Sequence, residues 1–469
     1  MGHAADARAA DLAALLDAGR WTRYQAALVL LVAVTIVFDG IDNQLLGIVI
    51  PTIMREWQVA RSALAPVVSL GYLGMMAGGL IAGVAGDRFG RRTALLGSMV
   101  VFGVFTMGAA LVDSPAALGV LRLLAGIGLG GAMPNAAALA AEYVPVRARP
   151  LAVTVTIVCV PLGGTLAGIL GIRVLPAIGW RHLFAIGGVV PLIAAVLLRL
   201  ALPESPRYLV RHQARWPELR RALARMGHDT SPATAFVDSA GRGAVVSASL
   251  TSLFVSSFRR DTVSLWISFF ACLLAVYLVF SWLTSLLTSA GFGAATASTG
   301  ITAFNLGGVA GALLGGAAIA RVGSKRSMLW MAAAAIAGTS AMAALSFAPG
   351  SSLLSIMALL VLTGASINGV QTTMYALAAH VYPTAVRARG VGTAVAVGRL
   401  GAVVSGFVGS WAIDDGGPRA FFLVVAAMMA VTFAALAAVE RHVPANALDA
   451  AATAARANAA APREDHRNT

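Results

Sequence analysis

Residues 83–92 read GVAGDRFGRR, and residues 316–326 read GAAIARVGSKR. Both basic stretches directly follow a long apolar run, of the kind that forms a membrane-spanning helix. A second pair of stretches repeats in the same order, ALAAEYVPVRAR at 138–149 and ALAAHVYPTAVRAR at 376–389. Because two motifs recur in the same sequence order, the chain is predicted to consist of two similar halves.

The composition predicts an integral membrane protein. Of the 469 residues, 58% are hydrophobic and 12% are charged, and the mean hydropathy is +0.82. A membrane helix needs roughly 20 mostly apolar residues. Twelve such runs are predicted at 24–50, 62–86, 93–112, 116–143, 149–173, 181–201, 264–289, 296–320, 326–348, 352–381, 388–413 and 418–439. The predicted fold is an all-α membrane protein with twelve transmembrane helices in two pseudo-symmetric six-helix halves.

The expected organisation follows from the charged stretch in the middle of the chain. Two six-helix halves related by a repeat are typical of secondary transporters, whose binding site lies near mid-membrane between the halves. The predicted segments are a cytoplasmic N-terminal segment (1–23), the N-terminal half (24–201), a cytoplasmic central loop (202–263), the C-terminal half (264–439) and a cytoplasmic tail (440–469). The Ala-rich tail is expected to be mobile.

The formal net charge of +14 also suits a nucleic-acid-binding protein. The arginines, however, cluster in alternate loops on the side that carries the termini, as in membrane proteins with a positively charged cytoplasmic side. We therefore expect no nucleic-acid partner, both termini in the cytoplasm and a multi-pass protein of a bacterial-type cytoplasmic (inner) membrane. The N-terminus lacks the pattern of a removable signal peptide. Its stretch ADLAALLDAGRW (10–21) predicts a short amphipathic helix at the interface.

The first span contains two carboxylates, in FDGIDNQLLGIVIP at 38–51. Asp39 and Asp42 are three residues apart, so both are expected on one helix face that Gly40 keeps open. A charged carboxylate at this depth is costly unless it meets water, a partner or a proton. Burial and a neighbouring carboxylate both favour the protonated form, so the pair is a candidate for proton coupling. The alternative is two polar residues that cap or bend the helix.

Two arginines lie deep inside predicted spans, away from their ends. Arg122 is about 10 Å deep in the fourth span and Asp42 about 14 Å deep in the first, at 1.5 Å per residue, so they are expected to meet. The pair either takes part in substrate binding and coupling or is a structural ion pair. Arg399 lies near mid-membrane in the eleventh span. Because guanidinium binds carboxylates in a bidentate manner, Arg399 is a candidate ligand for a substrate carboxylate.

Charged residues at the cytoplasmic ends of the second, fourth and tenth spans predict a salt-bridge gate that breaks and reforms during alternating access. The alternative is arginines that follow the charge asymmetry of the loops. The second half has Ala320 where the first has Asp87, so the gate is expected to be asymmetric. The candidate gate residues are Asp87, Arg88, Glu142, Arg147, Arg149, Arg387 and Arg389.

For the organic part of a substrate, the candidates are polar or aromatic residues in inward-capable spans, although packing or an interfacial position explains such residues equally simply. These candidates are Tyr277, Trp282, Asn305, Gln371, Tyr375 and Asn135. Glycines in LGGTLAGILG (162–171) and FNLGGVAGALLGG (304–316) are assigned to close helix packing. Cys159 and Cys272 lie inside predicted spans, where neither a disulfide nor a metal site is expected. Without a catalytic motif, we expect neither an enzyme nor a cofactor.

Several of these stretches resemble a known family. GVAGDRFGRR is similar to the G-x-x-x-D-R-x-G-R-R loop of the major facilitator superfamily, at the expected place after the second span. A finer resemblance, to the aromatic acid:proton symporters, covers nearly the whole chain. It rests on FDGIDNQLLGIVIP (38–51), GIGLGGAMPNAAALAAEYVP (126–145), LPESPRYLV (202–210), YLVFSWLTSLLTSAG (277–291) and YALAAHVYPTAVRARGVGTAVAVGRLGAV (375–403).

The resemblance implies a monomeric transporter that takes up an aromatic carboxylate, such as benzoate or a hydroxybenzoate, together with protons. It implies that Asp39 takes part in proton coupling and that Asp42 is a neighbour in coupling or substrate binding. One alternative keeps the fold but changes the cargo to muconate, a sugar acid or a drug exported by antiport. A third hypothesis is a transporter-like sensor that binds a solute without moving it.

Overall fold

A computed structural model describes residues 9–19, 21–230, 235–239, 253–254, 256–345, 347 and 352–445. Most of the described chain is helical. The helices are α1 (Leu12–Ala18), α2 (Arg23–Trp57), α3 (Arg61–Phe89), α4 (Arg91–Gly108), α5 (Pro115–Glu142), α6 (Arg149–Ala201), α7 (Pro206–Val210), α8 (Trp216–Arg225), α9 (Ser256–Ser289), α10 (Ala294–Val322), α11 (Ser324–Ala344), α12 (Leu353–Val381) and α13 (Thr384–Ala438). Most of the tail that we expected to be mobile lies outside the described residues.

Ten of the described helices are long and apolar enough to cross a membrane. Two of them are interrupted by a glycine in the left-handed region, α6 at Gly179 (φ 83°) and α13 at Gly417 (φ 58°). Each is more than 50 residues long, or about 80 Å at 1.5 Å per residue, far more than the roughly 30 Å of a bilayer core. Counting each as two segments gives the twelve predicted spans. Both interruptions fall inside the connections predicted at 174–180 and 414–417, although the helix continues up to the glycine in each.

In each half, glycines allow two helices to pack closely together, as the repeat predicts. In the first half, a Cβ on Gly74 of α3 would lie 2.1 Å from the carbonyl oxygen of Leu123 in α5. In the second half, a Cβ on Gly307 of α10 would lie 2.0 Å from that of Val361 in α12. Glycines at such positions allow helix backbones to approach closely. The assignment to packing is confirmed for the 304–316 glycines except Gly316, which has open space beside it, and for 162–171, where Gly163 packs on α2.

Three pairs of helices join the halves: α2 with α9, α3 with α13, and α6 with α10. Because successive spans alternate in direction, α2 begins and α13 ends on the same side of the molecule. We call this side the terminal face and the opposite side, where α2 ends and α3 begins, the distal face.

Glu204 connects the central segment to the loop between α3 and α4. Its buried carboxylate accepts hydrogen bonds from the backbone N–H groups of Arg92 (2.8 Å) and Thr93 (3.3 Å) in the first turn of α4. A carboxylate at a helix N-terminus satisfies free N–H groups and complements the helix dipole. Gly90 has φ 101°, and a Cβ there would lie 2.4 Å from Glu204. Glycine at this position therefore allows the carboxylate to approach the helix.

The N-terminal segment packs on the terminal face. The expected short helix is present as α1, and its Leu12 and Leu16 are buried against the protein. Two three-residue strands that the sequence did not predict, β1 (Ala9–Asp11) and β2 (Ala235–Val237), pair in parallel. They attach the start of the described chain to the central segment.

Candidate functional site

Asp39 and Asp42 lie in the middle of α2, with 3% and 0% of their surface exposed. They line two neighbouring cavities: Asp39 lines one together with Arg399, and Asp42 lines the other together with Arg122. Asn43 lines both cavities, so the two are neighbours. The two carboxylates therefore have different electrostatic surroundings although they are only three residues apart.

Gly40 does not keep this region open, as the sequence had suggested. A Cβ at Gly40 would lie 2.3 Å from the carbonyl oxygen of Val160 in α6. The glycine instead allows α2 and α6 to pack backbone against backbone. The space beside Asp39 comes from the separation between the two halves.

Asp42 and Arg122 form the buried ion pair that their depths along the helices predict. One guanidinium nitrogen of Arg122 donates to both carboxylate oxygens of Asp42, at 2.9 and 3.2 Å. Thr106 of α4 donates to Asp42 at 2.5 Å and accepts from Arg122 at 3.0 Å. The Arg122 guanidinium also lies 5.4 Å from the ring centroid of Phe184. Buried charges are tolerated when they are paired and hydrogen-bonded in this way.

This geometry predicts that the substitution Asp42→Asn destabilises the fold. The change leaves the buried guanidinium of Arg122 without a counter-charge, which typically costs about 3–5 kcal/mol. We expect a lower midpoint of thermal unfolding in detergent and a lower yield from membranes. The double variant Asp42→Asn/Arg122→Gln removes both charges, and we expect it to recover most of the lost stability. A single variant as stable as the unmutated protein would contradict this interpretation.

Arg399 lies at the wall of the other cavity. Its guanidinium donates a hydrogen bond to the hydroxyl oxygen of Tyr277 at 2.7 Å and contacts the sulfur of Met75 at 3.6 Å. Within the described residues, no carboxylate lies within ion-pair distance of Arg399. Asp39 lines the same cavity, and its buried Oδ1 has no hydrogen-bond partner among the described residues. The cavity thus contains a guanidinium with unused donors and a carboxylate oxygen with an unused acceptor.

The cavity lies between the halves at mid-membrane. α2, α3, α5 and α6 form one side, and α9, α12 and α13 form the other. Its volume of about 30 Å³ holds one or two water molecules and is smaller than an aromatic acid. The lining residues are Asp39, Asn43, Met75, Met133, Ile157, Val160, Pro161, Tyr277, Asn368, Gln371, Thr372, Tyr375 and Arg399. In this conformation a substrate of that size enters only if the halves move apart.

Comparison with known proteins identifies the family to which this chain belongs. A model of the Major Facilitator Superfamily matches residues 32–348 and 265–463. The chain belongs to the major facilitator superfamily. The 4-hydroxybenzoate transporter PcaK of Pseudomonas putida is 34% identical over 406 residues, which cover 85% of this chain and 89% of that protein. The Gallate transporter of Pseudomonas putida is 34% identical over 393 residues, covering 84% and 86%.

The fold is also found in a solved structure of the superfamily. The xylose transporter XylE from E. coli, in a partially occluded inward-open conformation, matches with a TM-score of 0.72 and 17% identity, over 88% of this chain and 97% of that chain. The resemblance to the aromatic acid transporters is confirmed by the sequence relatives. Because the superfamily and the relatives are transporters, the prediction that the chain is not an enzyme is confirmed as well.

In this major facilitator protein, the structure brings together Asp39, Tyr277, Gln371, Tyr375 and Arg399 from the predicted candidates. It does not bring the other three organic-site candidates to the cavity. The Trp282 indole is fully buried and donates to the backbone of α13. Asn305 exchanges two hydrogen bonds with Gln44, and Asn135 donates to two backbone carbonyls. These three side chains instead hold helices together.

Three polar side chains of the cavity were missed, at Asn43, Asn368 and Thr372. The stripe that Asn368 and Thr372 form with Gln371 and Tyr375 recurs at i, i+3, i+4 and i+7 along α12, which is the spacing of one helix face. That periodicity is a signal that a search for polar stripes in apolar helices detects. Asn43 follows Asp42 directly, and nothing in the sequence indicates that its side chain faces the cavity.

The hydrogen bonds and ion pairs that join the halves of this transporter, in the described part of the chain, lie on the distal side or at mid-membrane. Gln44 and Asn305 bond reciprocally at 2.8 and 2.7 Å, and Tyr72 bonds to Ser281 at 2.6 Å. At the distal face itself, Arg61 of α3 forms an ion pair with Asp414 of α13. The conformation is therefore closed on the distal side.

Among the described residues, no hydrogen bond or ion pair of the predicted terminal-face gate joins the two halves. Asp87 pairs with Arg91 at 2.5 Å, and Glu142 lies 4.0 Å from the same arginine. Arg88 lies over the Phe89 ring, Arg147 donates to the backbone of Gly19, and Arg149 pairs with Asp17. Arg387 donates to the backbone of Tyr382, and Arg389 is exposed. The gate function of these residues stays a prediction for another conformation.

Proposed function

We propose that this transporter takes up an aromatic carboxylate, such as benzoate or a hydroxybenzoate, together with protons by alternating access. The observation that carries the proposal is the cavity where Arg399, which has no ion-pair partner among the described residues, lies opposite a buried carboxylate. The names of the relatives support the class of substrate, since they include transporters of 4-hydroxybenzoate, gallate and benzoate.

The substrate carboxylate is assigned to Arg399. A guanidinium offers two parallel donors to a carboxylate, and such charge-assisted bonds are roughly twice as strong as neutral ones. Tyr277 already accepts from Arg399, so its hydroxyl proton is free to donate to the substrate. Tyr375 supplies an aromatic surface for stacking, and the amides of Asn368 and Gln371 supply donors and acceptors for ring hydroxyls.

Proton coupling follows from two negative charges in one small space. A substrate carboxylate bound at Arg399 shares the cavity with Asp39. Two carboxylates at close range in a buried site cannot both stay ionised without a large cost, so binding of the anion favours a protonated Asp39. The proton and the substrate then enter the cycle together. Release of the anion towards water removes this constraint, and the proton leaves as well.

Asp42 and Arg122 have a supporting role in this proposal. They neutralise each other and hold α2 against α5 beside the substrate cavity. A substrate anion that reached Arg122 would compete with Asp42 for the guanidinium and so favour a proton on Asp42. The pair therefore offers a second place where anion binding and proton binding are linked.

We further propose that the terminal face is cytoplasmic. The arginine-rich loops lie there, including the one at 87–92, and cytoplasmic loops carry an excess of Arg and Lys. With this orientation the structure is closed towards the outside of the cell, as in the state that releases substrate inwards. The protein is proposed to act as a monomer in the cytoplasmic membrane.

The ion pair between Arg61 and Asp414 is expected to stabilise this outward closure. We expect Asp414→Asn to shift the population towards the outward-open state by about 1.4- to 5-fold, because a partly exposed ion pair is worth about 0.2–1 kcal/mol. The measurement is the labelling rate of Val68→Cys, a buried apolar position on the distal side of α3, by an impermeant maleimide. The charge-exchanged protein Arg61→Asp/Asp414→Arg should return the rate towards that of the parent. Equal rates in all three proteins would refute a role for this pair.

The function is tested by uptake of radiolabelled benzoate, 4-hydroxybenzoate and gallate into cells that express the protein, at external pH 6 and pH 8. Because protons are co-substrates, uptake should be faster at pH 6 and should collapse when a protonophore is added. Muconate and a sugar acid serve as the panel for the alternative cargo. Uptake of these acids alone would overturn the aromatic substrate, and uptake unaffected by pH and protonophore would overturn proton symport.

A further inference from the structure

A second cavity, remote from the substrate site, lies at the terminal face. It is an open cavity with a volume of about 270 Å³, lined by the ends of α2, α4 and α6 and by α8 of the central segment. Four arginines line it, at positions 92, 199, 221 and 225. Glu218 is the one acidic residue among the described residues that line it, and it is already paired with Arg215 at 2.7 Å. The cavity therefore carries an excess of positive charge.

The charges of these arginines are not neutralised by the described protein. Arg199 and Arg225 make neither a hydrogen bond nor an ion pair with any described residue. Among the described residues, Arg221 donates only to the backbone oxygen of Pro217, at 3.3 Å. Arg92 donates to the backbone oxygen of Leu202, and its buried Nε has no partner within the described chain. Four guanidinium groups around one space, with most donors unused, form a site for an anion.

The position of the cavity identifies the source of that anion. Arg199 lies in the last turn of α6, next to Leu200, which also lines the cavity and is 82% exposed. One turn earlier, Val196 and Leu197 are 66% and 60% exposed. In a membrane protein, such an exposed apolar helix surface faces lipid chains. The arginine cavity therefore begins where the lipid-facing surface of α6 ends, which is the depth of the headgroups.

We propose that this cavity binds the phosphate headgroup of an anionic phospholipid, with the acyl chains lying along the outer surface of α6. Basic pockets at helix ends on one side of a membrane have the chemistry that recognises such headgroups. The bound phosphate would join Arg221 and Arg225 of α8 to Arg92 and Arg199 of the N-terminal half. The lipid thereby fixes the amphipathic α8, whose Leu219 and Leu223 are buried, to the membrane-embedded domain.

The test is lipid binding to the full-length transporter, purified and stripped of lipid in detergent. Phosphatidylglycerol and phosphatidylcholine with identical acyl chains are titrated in separate experiments, and bound lipid is counted by native mass spectrometry. We expect one phosphatidylglycerol to bind with clear preference over phosphatidylcholine. In the variant Arg199→Gln/Arg221→Gln/Arg225→Gln the affinity should fall by about a hundredfold, since each arginine contributes about fivefold near an anionic lipid.

The matched control is Arg211→Gln/Arg259→Gln/Arg326→Gln, which removes three exposed arginines of the terminal face outside the cavity. It changes the net charge equally and should leave phosphatidylglycerol binding within about twofold of the parent. An equal loss in both triple variants, or equal binding of the two lipids, would overturn the site. Displacement of the lipid by sn-glycerol 3-phosphate at matched concentration would overturn a lipid as the ligand and assign the cavity to a soluble phosphate.

Discussion

Arg399→Gln is expected to abolish measurable uptake of an aromatic acid while leaving the protein folded in the membrane. The guanidinium lies at a cavity wall, where it would provide the positive charge for the substrate carboxylate. Losing one partner of a buried, hydrogen-bonded charge pair costs about 2–5 kcal/mol, so substrate affinity should fall about thirtyfold or more. Because Arg399 forms no ion pair within the described chain, its removal breaks no salt bridge, although Asp39 in the same cavity loses a nearby positive charge. The measurement is substrate binding by calorimetry, together with uptake.

The conservative change Arg399→Lys separates charge from geometry. It retains the positive charge but not the two parallel donors, so an intermediate affinity is expected. Arg326→Gln, at an exposed position of the terminal face, is the matched control and should transport normally. If Arg399→Gln bound benzoate with the affinity of the parent, the substrate carboxylate would have to bind elsewhere, and Arg122 would be the next candidate.

The buried charges of the site were predictable from the sequence because a charge in an apolar span is costly and therefore conspicuous. Asp39, Asp42, Arg122 and Arg399 all appeared by this criterion alone. Helix rise then placed Asp42 and Arg122 at similar depths, and the structure pairs them at 2.9 Å. Depth along a helix is a one-dimensional quantity that the sequence supplies directly.

The sequence does not supply in the same way the direction in which a side chain points around its helix, or its neighbours in other helices. The sequence suggested one shared face for Asp39 and Asp42, but about 60° of rotation is enough to place them in separate cavities. Trp282 and Asn305 were candidates by residue type, whereas their contacts depend on how α9 and α10 pack against other helices. No local pattern distinguishes a polar side chain that holds two helices together from one that faces a cavity.

The ion pair at the distal face is another contact between helices that the sequence did not reveal. Arg61 and Asp414 both lie in short connections that the sequence marks as poor in basic charge. They are 353 residues apart and come together only because α3 packs against α13. The sequence also did not show how far the helices extend on either side of these connections. In α13 the helix continues through Asp414 and is interrupted only at Gly417, within the connection predicted at 414–417. Pairings between the halves therefore needed the structure.

Asp39→Asn is expected to abolish accumulation driven by the proton gradient while preserving binding and exchange of substrate. The amide resembles a protonated carboxyl group in shape and lack of charge, so a substrate anion meets no repulsion in the cavity. The variant has no proton to load or release at this position. Each coupled proton contributes up to about tenfold accumulation per unit of pH difference, and this contribution should disappear. The measurement is uptake into proteoliposomes with an imposed pH gradient, compared with exchange of labelled for unlabelled substrate.

Two further variants serve as controls for Asp39→Asn. Asp113→Asn changes an exposed aspartate next to Arg181 and should behave like the parent in both assays. Asp42→Asn removes the partner of Arg122, so we expect lower stability and loss of both activities, rather than loss of coupling alone. Driven uptake by Asp39→Asn at the parental level would show that the proton travels with another group. If both exchange and driven uptake were lost, Asp39 would instead be assigned to substrate binding. A carrier that has lost only its proton coupling still exchanges labelled for unlabelled substrate.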